Sequence, residues 1–140
     1  MSVEAILAPV FVQVALMFFL MFYMAGSRKG ALQRREVRIA DIALGQQAWP
    51  QRVTQISNAY HNQFQLPLLF FVLVILAYLF KKADLLFVLM SWIFVISRLV
   101  HAFVHLTTNR IQHRFTIFAV GAFVLMIMWI IFALRILLAY

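Results

Sequence analysis

Four long apolar runs, at about residues 6–26, 64–80, 85–106 and 115–138, decide what this chain can fold into. A helix crossing the hydrocarbon core of a bilayer consumes roughly 20 apolar residues, so each run is long enough to span. With 66% hydrophobic and 11% charged residues, against about a quarter charged in a soluble domain, the chain could not cover its own surface in water. Its 140 residues hold four spans and their connections and leave no room for a separate soluble domain. The reading is an all-α, integral membrane four-helix bundle forming one domain over 1–140, with spans at about 6–26, 52–80, 85–106 and 114–138. The first run ends in small residues, as an export signal does, but Glu4 and no basic residue precedes it, so it reads as a retained helix.

The formal charge of +8 fits basic residues flanking spans on the cytoplasmic side. No basic run interleaved with base-stacking aromatics occurs outside the apolar segments, which argues against nucleic acid. The first and third loops hold eight basic residues (Arg28, Lys29, Arg34, Arg35, Arg38, Arg52, Arg110, Arg114) against three opposite (Lys81, Lys82, Arg135), so both termini are expected to face away from the cytoplasm. Cysteine is absent, which excludes disulfides, thiolate metal sites and a cysteine nucleophile; any sulfur chemistry must use a substrate's thiol.

The turn Lys81–Asp84 is tight, so spans two and three are antiparallel neighbours. Trp49-Pro50 signals a turn, and the polar stretch after it predicts that the second helix starts near Arg52, with Pro67 kinking its interior. Between the first two spans, Gln33 to Leu44 has the pattern of a short amphipathic surface helix.

Polar side chains inside lipid-spanning helices are costly and mark function. The second helix carries Asn58, Asn62 and Gln65 on one face, with His61 beside them. The third carries Arg98, His101 and His105 on one face, with Ser91 a heptad earlier. Level pairing across the tight turn, at about 1.5 Å per residue, places Gln65 near Arg98, Asn62 near His101 and Asn58 near His105, and the side-chain oxygens of Gln65 and Asn62 are placed to supply the acceptors that a buried Arg98 needs. Arg114 returns to the same layer from the fourth helix. Two other readings compete. The layer could be interhelical adhesive, as lone Gln13 in the first helix reads. Alternatively His101 and His105, at i and i+4, could chelate a metal, or His61 opposite His105 a haem; Arg98 repels a divalent cation there and no carboxylate completes a site. The four acidic residues include no pair for general acid–base work.

The stretch Asn58-Ala-Tyr-His-Asn62-Gln-Phe-Gln65-Leu-Pro67-Leu-Leu-Phe-Phe, then Arg98-Leu-Val-His101-Ala-Phe-Val-His105, then Asn109 and Arg114, resembles the MAPEG family of membrane-associated proteins in eicosanoid and glutathione metabolism. The resemblance covers nearly the whole chain. It implies a homotrimer, of bacterial type in an inner membrane, that holds glutathione as cosubstrate between subunits near the cytoplasmic side. Carried over residue by residue, Arg28 or Lys29 matches a basic residue that reaches the bound peptide, and Asn62 and Gln65 match the family's Asn and Glu. Arg98 and His101 match its Arg-x-x-His, and His105 stands where several relatives have Tyr. Arg114 matches the arginine held to stabilise the glutathione thiolate, hence the catalytic position. Gln65 departs from a carboxylate that would pair an amino group, and Phe115 and Phe118 replace hydroxyls found near the sulfur in some relatives.

The expectation is therefore a glutathione-dependent membrane transferase or peroxidase acting on apolar electrophiles or lipid hydroperoxides. Arg114 is catalytic, and Arg28, Lys29, Asn58, Asn62, Gln65, Arg98, His101 and His105 bind glutathione. The partners are lipid, a small apolar substrate and further copies of the chain. The alternative is a non-catalytic trimeric membrane protein whose polar layer serves assembly or lipid and anion binding.

Overall fold

The computed structural model describes residues 1–45 and 48–138. Its elements are α1 (Val3–Gln33), the single turn α2 (Ile39–Ile42), α3 (Gln51–His61), a 3-10 turn (Asn62–Phe64), α4 (Leu66–Leu79), α5 (Leu85–Leu106) and α6 (Ile111–Leu137). Four helical segments are long and apolar enough to cross a membrane: α1, α3 with α4, α5, and α6. The all-helical bundle read from the sequence is thus present.

Each helix starts and stops for local reasons. The Ser2 hydroxyl caps α1 by accepting from Ala5 N at 3.2 Å, and Glu4 in the first turn suits the positive end of the helix dipole. Asp84 caps α5 by accepting from Phe87 N at 3.0 Å. The α4–α5 turn closes with Lys81 in the left-handed region (φ 57°) and Lys82 N donating to Ala77 O at 2.8 Å. That turn also anchors α6, because Arg135 donates to Asp84 Oδ2 at 2.8 Å and to the Lys82 carbonyl at 3.2 Å.

The helix boundaries correct the sequence reading in four places. The first helix continues past Gly26 to Gln33, since nothing between them forbids helix, so Arg28 and Lys29 sit on its final turns and not in a loop. It ends where Arg35 takes φ 56° and Glu36 N reaches back to Ala31 O at 3.0 Å. This termination leaves only Ile39–Ile42 helical, where an amphipathic helix over Gln33–Leu44 was expected. The second span, Gln51–Leu79, is interrupted just ahead of Pro67 and not kinked in mid-helix by it. It breaks at Gln65 (φ −97°, ψ −99°) and restarts with Pro67 in the first turn of α4, where a missing N–H costs nothing. The fourth helix begins at Ile111, a few residues ahead of the expected start.

The core is concentrated on α5, half of whose most apolar window is buried, against 17% for α6. Towards the Asp84 end, Phe70, Leu73, Phe87, Phe94, Leu125 and Met128 pack into one cluster. Nearer the other end Leu20, Ala59 and Ala102 form a second. Gly121 of α6 lies where a Cβ would come within 2.7 Å of Ser97 Oγ, so the absent side chain sets the α5–α6 spacing. Gln13 is fully buried and donates to Gln63 Oε1 at 2.9 Å, while Gln63 Nε2 donates to Ala59 O at 3.1 Å. Gln13 is interhelical adhesive as read; its partner was not foreseen.

Candidate functional site: a cationic groove

Two adjoining cavities at the basic end of the bundle form one groove. The first, of about 270 Å³, is lined by Asn62, His101, His105, Ile111, Arg114, Phe115 and Phe118. The second, of about 280 Å³, is lined by Asn58, His61, Asn62, Gln65, His105 and Arg114. One wall is thus the end of α3 with the 3-10 turn, the floor is α5, and the far wall is the first turns of α6. The break at Gln65 matters here, because it directs that wall's amide side chains towards α5 and α6.

Arg98 lies beneath the groove, 1% exposed. Its Nη2 donates to Asn62 Oδ1 at 2.5 Å and to Asn62 O at 3.4 Å. Nε and Nη1 are buried without a partner. A buried guanidinium with two idle donors is strained by several kcal/mol relative to a fully bonded one. His101 and His105 are buried with their Nδ1 atoms likewise unpartnered, their rings edge to face at 5.8 Å and His101 packed 6.0 Å from Phe118. Arg114 at the rim donates to Asn109 Oδ1 at 2.7 Å. The ion pairs among the described residues engage Glu36 with Arg34, Asp41 with Arg38 and Asp84 with Arg135. No carboxylate therefore offsets the positive charge of Arg98 and Arg114. Among the described residues no three His, Cys, Asp or Glu come together as a metal cage.

Of the two side-chain oxygens expected to serve Arg98, that of Asn62 takes the bond and that of Gln65 does not. Asn62 and His101 line one cavity and Asn58 and His105 the other, in line with the level pairing, and Gln55 Nε2 adds a bond to the His105 carbonyl at 2.7 Å. Asn58, His61 and Gln65 are exposed but line the groove.

Arg28 belongs to a neighbouring cavity of about 250 Å³ with Trp49, Ser57, Asn58 and His61, its guanidinium 5.1 Å over the Trp49 ring. The two spaces adjoin at Asn58 and His61, so Arg28 stands at the extension of the groove. Lys29 is exposed and lines none of these three spaces. The sequence reading named Asn109 only as part of the resemblance and gave it no role, though its place just before the fourth helix was the signal. It also gave no role to Arg52 and Gln55, which clasp the end of α5 through the Leu106 and His105 carbonyls.

A four-helix membrane protein with a cationic groove, walled on one side by phenylalanines and free of carboxylates among the described residues, is the class that this fold and site define. The model of the MAPEG family matches residues 6–134 of the 140-residue chain, and the chain belongs to that family. It is thus an integral membrane protein of the group concerned with glutathione and eicosanoid metabolism. No curated protein and no solved structure matches it.

Proposed function

We propose that this protein is a glutathione-dependent transferase or peroxidase acting on apolar electrophiles or lipid hydroperoxides. The single observation carrying the proposal is that Arg114 lines a groove with no carboxylate among the described residues, while buried Arg98, with two guanidinium nitrogens unpartnered, lies beneath it. Glutathione supplies two carboxylates and a thiol against one ammonium, which complements such a groove. Its carboxylates would meet Arg98 and, along the extension past Asn58, Arg28, through charge-assisted hydrogen bonds. Asn58, Asn62, Gln65, His101 and His105 would orient its amides, the Gln65 oxygen accepting from the ammonium.

Arg114 is assigned to the sulfur. A thiol with a pKa of about 8.5 is mostly protonated at neutral pH, and an adjacent guanidinium favours the thiolate. Its proton leaves to water. In transfer, the thiolate sulfur bonds to an electrophilic carbon and the displaced electron pair departs with the leaving group or is protonated. In peroxide reduction, sulfur takes the terminal oxygen and the alkoxide leaves as alcohol; a second glutathione then yields disulfide and water. Phe115 and Phe118 form the apolar wall by which a second substrate enters from lipid. The assembly is a homotrimer in a bacterial inner membrane, with both termini away from the cytoplasm and residues 1–140 as one domain.

Titrating purified protein in detergent with glutathione tests this. Binding should be accompanied by thiolate ultraviolet absorbance. Arg114→Ala should remove that absorbance while the particle size stays unchanged, and an absence of binding at millimolar glutathione overturns the assignment. The second reading is that the layer serves assembly, and the Gln13–Gln63 pair favours it, because this bundle does use buried amides as adhesive. On that reading Arg98→Leu dissociates the assembly and Arg114→Ala changes nothing.

A further inference from the structure

Arg114 occupies a place that helix energetics does not favour. It lies in the first turns of α6, where the helix dipole is positive and repels a cation. A long side chain at a membrane edge ordinarily extends to water or headgroups. What holds it over the groove is one oxygen, Asn109 Oδ1, at 2.7 Å.

Asn109 is built for two tasks. Its backbone is left-handed, φ 52°, a conformation asparagine tolerates better than most residues, and its N–H closes the end of α5 on Val104 O at 2.7 Å. Its side chain sits one residue before Arg110, the N-cap of α6, which makes no side-chain capping bond. The Asn109 oxygen is spent on the guanidinium and not on the unpaired backbone N–H groups of the helix start. The type of partner also matters. Arg34, Arg38 and Arg135 each pair with a carboxylate, whereas Arg114 receives a neutral amide. An amide fixes the guanidinium through Nη1 and leaves its charge and its other donors for an anion; a carboxylate in the same place would cancel the charge.

We propose that Asn109 is the positioning residue for Arg114, fixing its guanidinium over the groove by a neutral hydrogen bond so that the full positive charge acts on the ligand's thiol. This rests on the assignment of Arg114 to the glutathione sulfur.

Asn109→Gly and Asn109→Asp, made in the full chain, separate this role from that of a turn residue, because both replacements accept the left-handed backbone. The readout is thiolate absorbance of bound glutathione against pH, with detergent thermal unfolding as the check on folding. In Asn109→Gly the midpoint of thiolate formation should rise by about one pH unit, about tenfold less thiolate on the acid side of the midpoint. Asn109→Asp keeps an acceptor but adds a negative charge, and should lose at least as much. A turn role alone predicts that folded Asn109→Gly matches the wild type, and that result overturns the inference while leaving the proposed function standing. If Asn109→Gly does not fold, Asn109→Ser, which is neutral and lacks the amide oxygen, decides by the same criterion. Wild-type protein that binds glutathione without thiolate overturns the assignment of Arg114, and the inference falls with it.

Discussion

Replacing Arg98 by methionine separates a binding group from a structural one. The substitution keeps an unbranched apolar stem of nearly equal reach and removes the guanidinium. In the ligand-free protein the charge is buried at 1% exposure, holds a hydrogen bond only to Asn62, and leaves Nε and Nη1 unpartnered. Loss of the Asn62 bond costs about 1.5–3 kcal/mol. Removing a poorly compensated buried charge returns about 1–4 kcal/mol. The two nearly cancel, so ligand-free Arg98→Met should unfold within about 1 kcal/mol of the wild type, a shift of about 2–4 °C at most. Asn62→Leu should be worse, at about 3–5 kcal/mol, because it leaves the charge in place with no side-chain acceptor. Thermal unfolding in detergent, monitored by circular dichroism, gives both values, and glutathione titration of the same samples should show binding lost in Arg98→Met. Destabilisation of Arg98→Met as large as that of Asn62→Leu would refute the reasoning, for it would mean that the guanidinium holds the bundle together.

Three further outcomes follow from the packing. Gly121→Ala should destabilise by about 1–3 kcal/mol, since its Cβ would lie 2.7 Å from Ser97 Oγ, and adding Ser97→Ala should recover most of this in the same unfolding assay. Gln13→Leu, which strands buried Gln63, should cost about 1–3 kcal/mol, and Gln13→Leu with Gln63→Leu should cost less than the single change. The hydrogen bond from Arg135, with smaller help from the Phe87 N–H, holds the Asp84 carboxyl below its ordinary 3.8. A carboxyl lowered by folding contributes stability above its unfolded value and loses it as pH falls through the folded value. The Asp84 contribution should therefore disappear below about pH 4, and Asp84→Asn, which can still cap α5, should flatten stability over that range.

Much of the architecture was legible because its signals are local. The apolar runs set the number of spans, the 3.6-residue period put Arg98, His101 and His105 on one face, and a four-residue turn made α4 and α5 antiparallel neighbours. The same periodicity singled out Asn58, Asn62 and Gln65, which do line one groove with His105 and Arg114. The reading slipped where an element's extent depends on non-local support. Hydropathy stops at Gly26, but α1 continues to Gln33, and its extra turns bring Arg28 onto the Trp49 ring, 21 positions along the chain. Nothing in a count along the helix shows that the backbone breaks at Gln65, and so the choice between Asn62 and Gln65 as the acceptor for Arg98 stayed open.

From its letters alone, the chain was bound to enter lipid as four helices and to carry there a layer of cations and amides that lipid cannot solvate. Which oxygen each guanidinium meets was left to the tertiary structure: Asn62 for Arg98, Asn109 for Arg114. The physical reason is one of range. Apolar length and helical period are summed over neighbouring residues, whereas a hydrogen bond needs two atoms within about 3 Å, a distance fixed only after a helix break and two turns have set the helices against each other.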